Sequence, residues 1–107
     1  MNSLFYQDSC DEEKNRENIR KHGFDFNDAW EVFESPMLED LDTREDYGED
    51  RWLGIGMLGN RVVFVTFTQP DPDILRIISL RKALKDERDR FEEALKDGLE
   101  ARRRNDR

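Results

Sequence analysis

The 107-residue chain predicts a single α+β domain: two helices in its N-terminal part, an antiparallel sheet of three to four strands, and a C-terminal helix. Three observations carry this reading. Apolar residues between Phe24 and Phe33 recur at helical spacing. Two strand-like runs, 51–58 and 61–68, flank the pair Gly59-Asn60, and a third run, 74–80, follows them closely. After Lys82 the pattern returns to helical spacing. Strands grouped together rather than alternating with helices predict an antiparallel sheet with its helices on one face and the other face open. A chain of this length buries a modest core on roughly 60–70% of its unfolded surface. The domain is expected to span 1–98, with 99–107 as a frayed basic tail.

Taken in order, residues 1–7 contain Leu4, Phe5 and Tyr6, an edge strand or an unstructured lead-in. Asp11 then offers an N-cap, and Glu12 and Glu13 occupy the first turn, where the helix dipole favours anions. This helix is expected to reach His22. Arg20, Lys21 and His22 complement its negative end, and Gly23 supplies the left-handed residue beyond it. Its one aliphatic residue is Ile19, so it belongs on the surface.

Asp25 caps a second helix, with Phe24 placed to staple against Ala29. Phe26, Ala29, Trp30 and Phe33 form its core face, and Ser35-Pro36 ends it. Residues 37–41 fit a short strand. Between Glu39 and Asp50 seven acids stand against Arg44, a solvated loop.

Gly59-Asn60 is a glycine-first pair suited to a two-residue hairpin. Residues 69–73 make a second turn, so the three runs form a meander. In the last helix Leu84, Phe91, Leu95 and Leu99 lie on one stripe with Arg88, and Gly98 is its stop. Internal repeats and metal-ligand spacings are absent from the sequence.

Composition excludes several classes. Although 41% of residues are charged, 10% are aromatic and the apolar runs are strong, which argues against disorder. Cys10 is the only cysteine, so an intramolecular disulfide is impossible and a reducing compartment fits. No apolar run has the length of a membrane span. A soluble cytoplasmic protein is the expectation, with no membrane partner.

The net charge of −8 opposes binding to a polyanion, but the charge is unevenly spread. Residues 76–107 hold eleven Lys/Arg and eight Asp/Glu; residues 1–75 hold seven and eighteen. The anomaly lies in the last strand. Side chains alternate across a strand, which puts Ile74, Arg76, Ile78 and Leu80 on one face and Leu75, Ile77, Ser79 and Arg81 on the other. A guanidinium inside an apolar strand needs a partner. Arg76 therefore either pairs with an internal carboxylate or lines a cleft that receives an anion.

The ordered set of Asn18, Lys21-His22-Gly23, Phe26, Ala29, Phe33, Arg51-Trp52, Gly56, the stretch Arg76-Ile77-Ile78-Ser79-Leu80-Arg81-Lys82-Ala83, and Glu87-Arg88 resembles the BrnT toxins. The resemblance covers about residues 8–92. It implies a RelE-like fold and the toxin of a type II toxin–antitoxin system, a small ribonuclease that halts translation. The implied inhibitor is a ribbon-helix-helix antitoxin of the BrnA kind, in a heterotetramer or larger complex. Neither a metal nor a cofactor is implied. Two departures from the family pattern stand out. Asp8-Ser9-Cys10-Asp11 replaces an aromatic strand start, and Phe91 stands where a tyrosine is usual, which keeps the packing but removes a hydroxyl.

A metal-free ribonuclease needs a base for the 2′-hydroxyl, a cation for the phosphorane and an acid for the leaving oxygen. Arg76 and Arg81 are the candidates for the cationic role and His22 for proton transfer. Lys21, Lys82 and Arg88 are candidate RNA-phosphate contacts. Arg76 and Arg81 are five residues apart, so they share a face only if the strand bulges or ends near Ser79.

Each candidate also has a plainer role. Arg76 can be a structural ion-pair partner; Arg81 and Lys82 can be the solvated start of a helix. His22 and Lys21 can serve the helix end. Arg51 can pair with the acidic loop while Trp52 joins the core, and Ser79 has no base nearby in sequence. Two other functions stay open: a catalytically lapsed toxin fold that only pairs with its antitoxin, and an acidic adaptor that recruits a chain through its sheet edge.

Overall fold

The computed structural model describes residues 9–44, 46 and 48–98, with side chains from residue 12 onward. Residues 1–7, expected as an edge strand or an unstructured lead-in, and the tail 99–107 lie outside them. The elements follow the predicted order: α1 (Ser9–His22), a 3-10 turn (Phe26–Asp28) leading into α2 (Ala29–Phe33), β1 (Met37–Leu41), β2 (Trp52–Leu58), β3 (Arg61–Asp71), β4 (Ile74–Lys82) and α3 (Lys85–Lys96). The four strands form one antiparallel sheet in sequence order. An α+β architecture with two N-terminal helices and a C-terminal helix is thus present.

α1 begins at Ser9, so Asp11 sits inside the first turn and does not cap it. Gly23 takes φ +78° and ends the helix as expected, its N–H donating to the Ile19 carbonyl at 2.8 Å. Asp25 does cap the next segment, its carboxylate accepting the Asn27 N–H at 2.9 Å. A tighter 3-10 turn precedes the α-helix proper, which is only five residues long.

The core lies between these N-terminal helices and one sheet face. Phe24, Phe26, Ala29, Val32 and Phe33 pack on Met37, Leu58, Val63, Val65, Phe67, Leu75, Ile77 and Leu80, with Trp30 and Trp52 at its margin. Phe33 meets Phe67 edge to face at 4.8 Å. Gly56 allows α2 to approach: a Cβ there would lie 3.0 Å from both Val32 Cγ1 and Met37 Cγ.

The expectation of helices on one face is overturned. α3 lies on the other face, where Arg90 pairs with Asp40 of β1 at 2.9 Å and Phe91 is buried. Asp40, Leu53 and Thr66 share a row there, as do Ile55, Phe64 and Arg81. The physical reason is that this face also carries apolar side chains, Ile55 and Met57 among them, and Phe91 helps cover them. Phe91 is the buried member of the predicted stripe; Leu84 is 59% exposed because it precedes the helix.

The second turn is also shorter than 69–73. β3 continues to Asp71, and only Pro72 and Asp73 connect it to Ile74. A register shift between Thr68 and Asp71 absorbs Gln69 and Pro70, where a residue without an N–H does least harm. The first hairpin is as predicted, with Gly59 alone at positive φ (+62°) in a two-residue turn.

Candidate functional site

β4 is one of the two edge strands of the sheet, and its irregularity decides where the cations go. Thr66 pairs with Ser79, but the next residue of β3, Phe67, pairs with Ile77, leaving Ile78 as an inserted residue. Leu75 and Ile77 point into the core before the bulge and Leu80 after it. Arg76, Ser79 and Arg81 consequently share the opposite face, although their spacing in a regular strand would divide them. Their register partners, Thr68 for Arg76 and Phe64 for Arg81, are four residues apart along β3. That separation is about 13 Å between the two arginine backbones.

The Arg81 side chain is held on three sides. Its guanidinium carbon lies 4.1 Å from the centre of the Phe64 ring. Nη1 and Nη2 donate to Glu87 Oε1 and Oε2 at 3.0 and 2.9 Å, a bidentate pair. Nη1 also donates to the Lys82 carbonyl at 3.1 Å. Glu87 in turn accepts the Leu84 N–H at 2.8 Å, closing the first turn of α3. Burial works against the Glu87 charge, but the Arg81 hydrogen bonds and the Leu84 N–H outweigh it and hold the carboxyl below its ordinary 4.5.

The remaining predicted residues fall on either side of this strand. Lys21 and His22 are exposed at the end of α1 and, with Lys14, Glu17, Asn18, Ile78 and Ser79, line a groove of about 320 Å³. Lys21 stands 3.6 Å from Glu17, which also pairs with Arg20. Lys82 and Arg88 line a second groove of about 370 Å³, between α3 and the β2–β3 hairpin, whose wall includes Met57, Val62, Phe91 and Leu95. Ser79 is the link: it faces the arginines of β4 and borders the Lys21–His22 groove. The structure brings Arg76, Ser79 and Arg81 to one face. It divides the other four cationic and titratable candidates between two flanking grooves.

A larger hollow of about 670 Å³ lies in the loop after β1, lined by Asp42, Asp46, Glu49 and Asp50 among others. Its charge is wrong for phosphate. Asp42 is buried there and takes a bidentate pair from Arg44 at 2.7 and 2.8 Å, so this stretch is less loosely solvated than expected.

Asn18 belongs to the ordered set that carries the resemblance, but its structural role is not readable from the sequence. Its amide donates to the carbonyls of Phe24 (3.0 Å) and Leu80 (2.7 Å), and its Oδ1 accepts the Leu80 N–H at 3.1 Å. One side chain thereby completes the open edge of β4 and fixes α1 beside the bulge. Asn15 supports this join by accepting the Phe26 N–H and donating to Asp25. Glu87 and Phe64 were likewise without an assigned role. For Glu87 the sequence offers two signs, its place in the ordered set that carries the resemblance and its third position in a helix, where a carboxylate can reach back to the cap.

Among the described residues no group of three or more His, Cys, Asp or Glu side chains is arranged to hold a metal ion. None of the described helices is long and apolar enough to cross a membrane.

Over residues 10–87 the chain matches the family model described as the ribonuclease toxin, BrnT, of type II toxin-antitoxin systems. The match ends at Glu87, before Arg88 and Phe91. The chain is also similar to the crystal structure of the Brucella abortus ribonuclease toxin BrnT, with 30% identity and a TM-score of 0.54, over 79% of this chain and 99% of that one. Among curated proteins nothing matches.

Proposed function

Because the chain belongs to the BrnT family of ribonuclease toxins from type II toxin–antitoxin systems, we propose that it is a metal-independent endoribonuclease that inhibits translation in the cytoplasm. Membership of such a system implies an antitoxin partner. The proposed one is a BrnA-like ribbon-helix-helix protein, forming a heterotetramer or larger complex. The proposed domain is 1–98, with 99–107 as a basic tail.

The nucleophile in RNA cleavage is already within the substrate. The 2′-hydroxyl gives up its proton, O2′ bonds to phosphorus, and the P–O5′ bond breaks as O5′ takes a proton. The products are a 2′,3′-cyclic phosphate and a 5′-hydroxyl. Such a reaction does not require a metal-bound water; it requires charge stabilisation at the phosphorane and a proton carrier. Arg76 and Arg81 are the proposed source of that positive charge, because a guanidinium stays charged and its planar fork matches a phosphate. His22, across Ser79, is the proposed proton carrier. Lys21 on one side, and Lys82 and Arg88 on the other, are the proposed contacts for flanking phosphates.

The observation that carries this reading is the bulge at Ile78, which aligns Arg76 with Arg81 on an edge strand between two grooves that carry basic side chains. The test is cleavage of an end-labelled RNA by the purified chain in excess chelator, alongside induced expression in a bacterial host. Wild type is expected to cut RNA and arrest growth. Arg76→Ala and Arg81→Ala are each expected to lower the rate about 10²–10³-fold. Equal growth arrest by wild type and both variants would remove the site assignment.

A second reading follows from Phe91, which is 1% exposed and brings no hydroxyl to the groove beside Lys82 and Arg88. In a lapsed enzyme Phe91→Tyr would gain cleavage that wild type lacks. Activity already present in wild type would exclude it.

A further inference from the structure

We propose that Glu87 is a positioning residue for RNA cleavage, anchoring one edge of the Arg81 guanidinium so that its Nε edge is presented to the phosphodiester. The inference rests on the ribonuclease reading above and deepens it at the same site.

An arginine fork has two edges that can grip an oxyanion. The Nη1–Nη2 edge of Arg81 is taken by the two Glu87 oxygens, and Nη1 also reaches the Lys82 carbonyl. Among the described residues Nε makes no hydrogen bond, and the side chain keeps 28% exposure. Phe64 lies against the face of the guanidinium. Rotation and sliding of the group are therefore both restrained, while one donor edge stays open on the same strand face as Arg76 and Ser79. Glu87 is itself fixed, because Oε1 accepts the backbone N–H of Leu84 and its side chain is only 13% exposed.

The same contacts exclude the more obvious role of general base. Both carboxylate oxygens already accept charged or backbone donors, and the group is held in its ionised form. A carboxylate stabilised in that way is a poor proton acceptor. What Glu87 offers is orientation, and a misplacement of about 1 Å at a reacting centre costs on the order of 10²-fold in rate.

The experiment is single-turnover cleavage of a short RNA by Glu87→Ala, Glu87→Gln, Arg81→Ala and the double variant Arg81→Ala/Glu87→Ala. Thermal midpoints are recorded so that every assay uses folded protein. Glu87→Ala is expected to lower the rate at saturating RNA about 10²-fold, with less than about a threefold change in half-saturating RNA, since Arg76 and the flanking cations remain. Glu87→Gln keeps an oxygen for Leu84 and one bond to Arg81, so it is expected to fold normally and lose roughly tenfold. The double variant is expected to be no slower than Arg81→Ala, because Glu87 acts only through Arg81.

A Glu87→Ala rate within twofold of wild type, with a lowered midpoint, would make Glu87 merely a helix cap and overturn the proposal. Losses that multiply in the double variant would overturn it as well. In both cases wild type still cuts RNA and the ribonuclease reading stands. Wild type that leaves RNA intact would instead bring down that reading and this proposal together.

Discussion

Asn18 shows how much of this molecule rests on one side chain. It lies in a helix whose other described positions are mostly exposed, yet it satisfies both backbone groups of Leu80 and the carbonyl of Phe24. An amide is the one short side chain that both donates and accepts in this geometry. Replacing Asn18 by alanine leaves three buried or edge backbone groups without partners. It is expected to cost about 2–4 kcal/mol, read as a lower urea midpoint. Asn18→Asp is expected to be no better. It keeps an acceptor for the Leu80 N–H but turns a carboxylate toward two carbonyl oxygens. A midpoint within experimental scatter of wild type for either variant would mean that α1 is not fastened to β4 through this residue.

Among the elements, α2 and the sheet meet through Gly56. A methyl group there would press on Val32 and Met37 at 3.0 Å, with the Pro36 carbonyl at 3.4 Å. Gly56→Ala is expected to destabilise by about 1–3 kcal/mol through overpacking. An unchanged urea midpoint would show that α2 simply shifts. Such contacts separate what was legible in the sequence from what was not. The Gly59-Asn60 turn was legible because its requirement is local, a positive φ at the first position. Arg76 and Arg81 stood out because charge inside an apolar run is a local anomaly too. The face chosen by α3 was not legible, since it depends on which sheet face has uncovered apolar area once α2 has docked. The bulge at Ile78 was foreseen only as a condition for Arg76 and Arg81 to share a face; nothing in the run Ile77-Ile78-Ser79 distinguishes the inserted residue. The role of Asn18 was hidden for a different reason: its partner Leu80 is 62 residues away.

At the scale of the whole molecule, the proposed function asks an acidic chain to approach a polyanion. The net charge is −8, and Asp46, Glu49 and Asp50 are exposed in the loop between β1 and β2, outside the grooves that carry the candidate site. Charges of this kind act through the long-range field rather than by contact, so they alter the association rate more than the bound state. Neutralising them together, as Asp46→Asn/Glu49→Gln/Asp50→Asn, is expected to speed association with a short single-stranded RNA several-fold at about 20 mM salt. The gain is expected to vanish near 1 M, where the screening length falls to about 3 Å. The dissociation rate and the single-turnover cleavage rate are expected to stay as in wild type, because no candidate site residue has been touched. Arg88→Gln is expected to behave oppositely. Losing one phosphate contact makes the dependence of log K on log salt shallower by about 0.7, the increment for one contact to a single strand. Stopped-flow fluorescence across a salt series measures both. If the loop variant slows dissociation instead of speeding association, the acidic loop touches the RNA. The binding face would then have to be moved from the cationic edge of β4 to the opposite edge of the sheet.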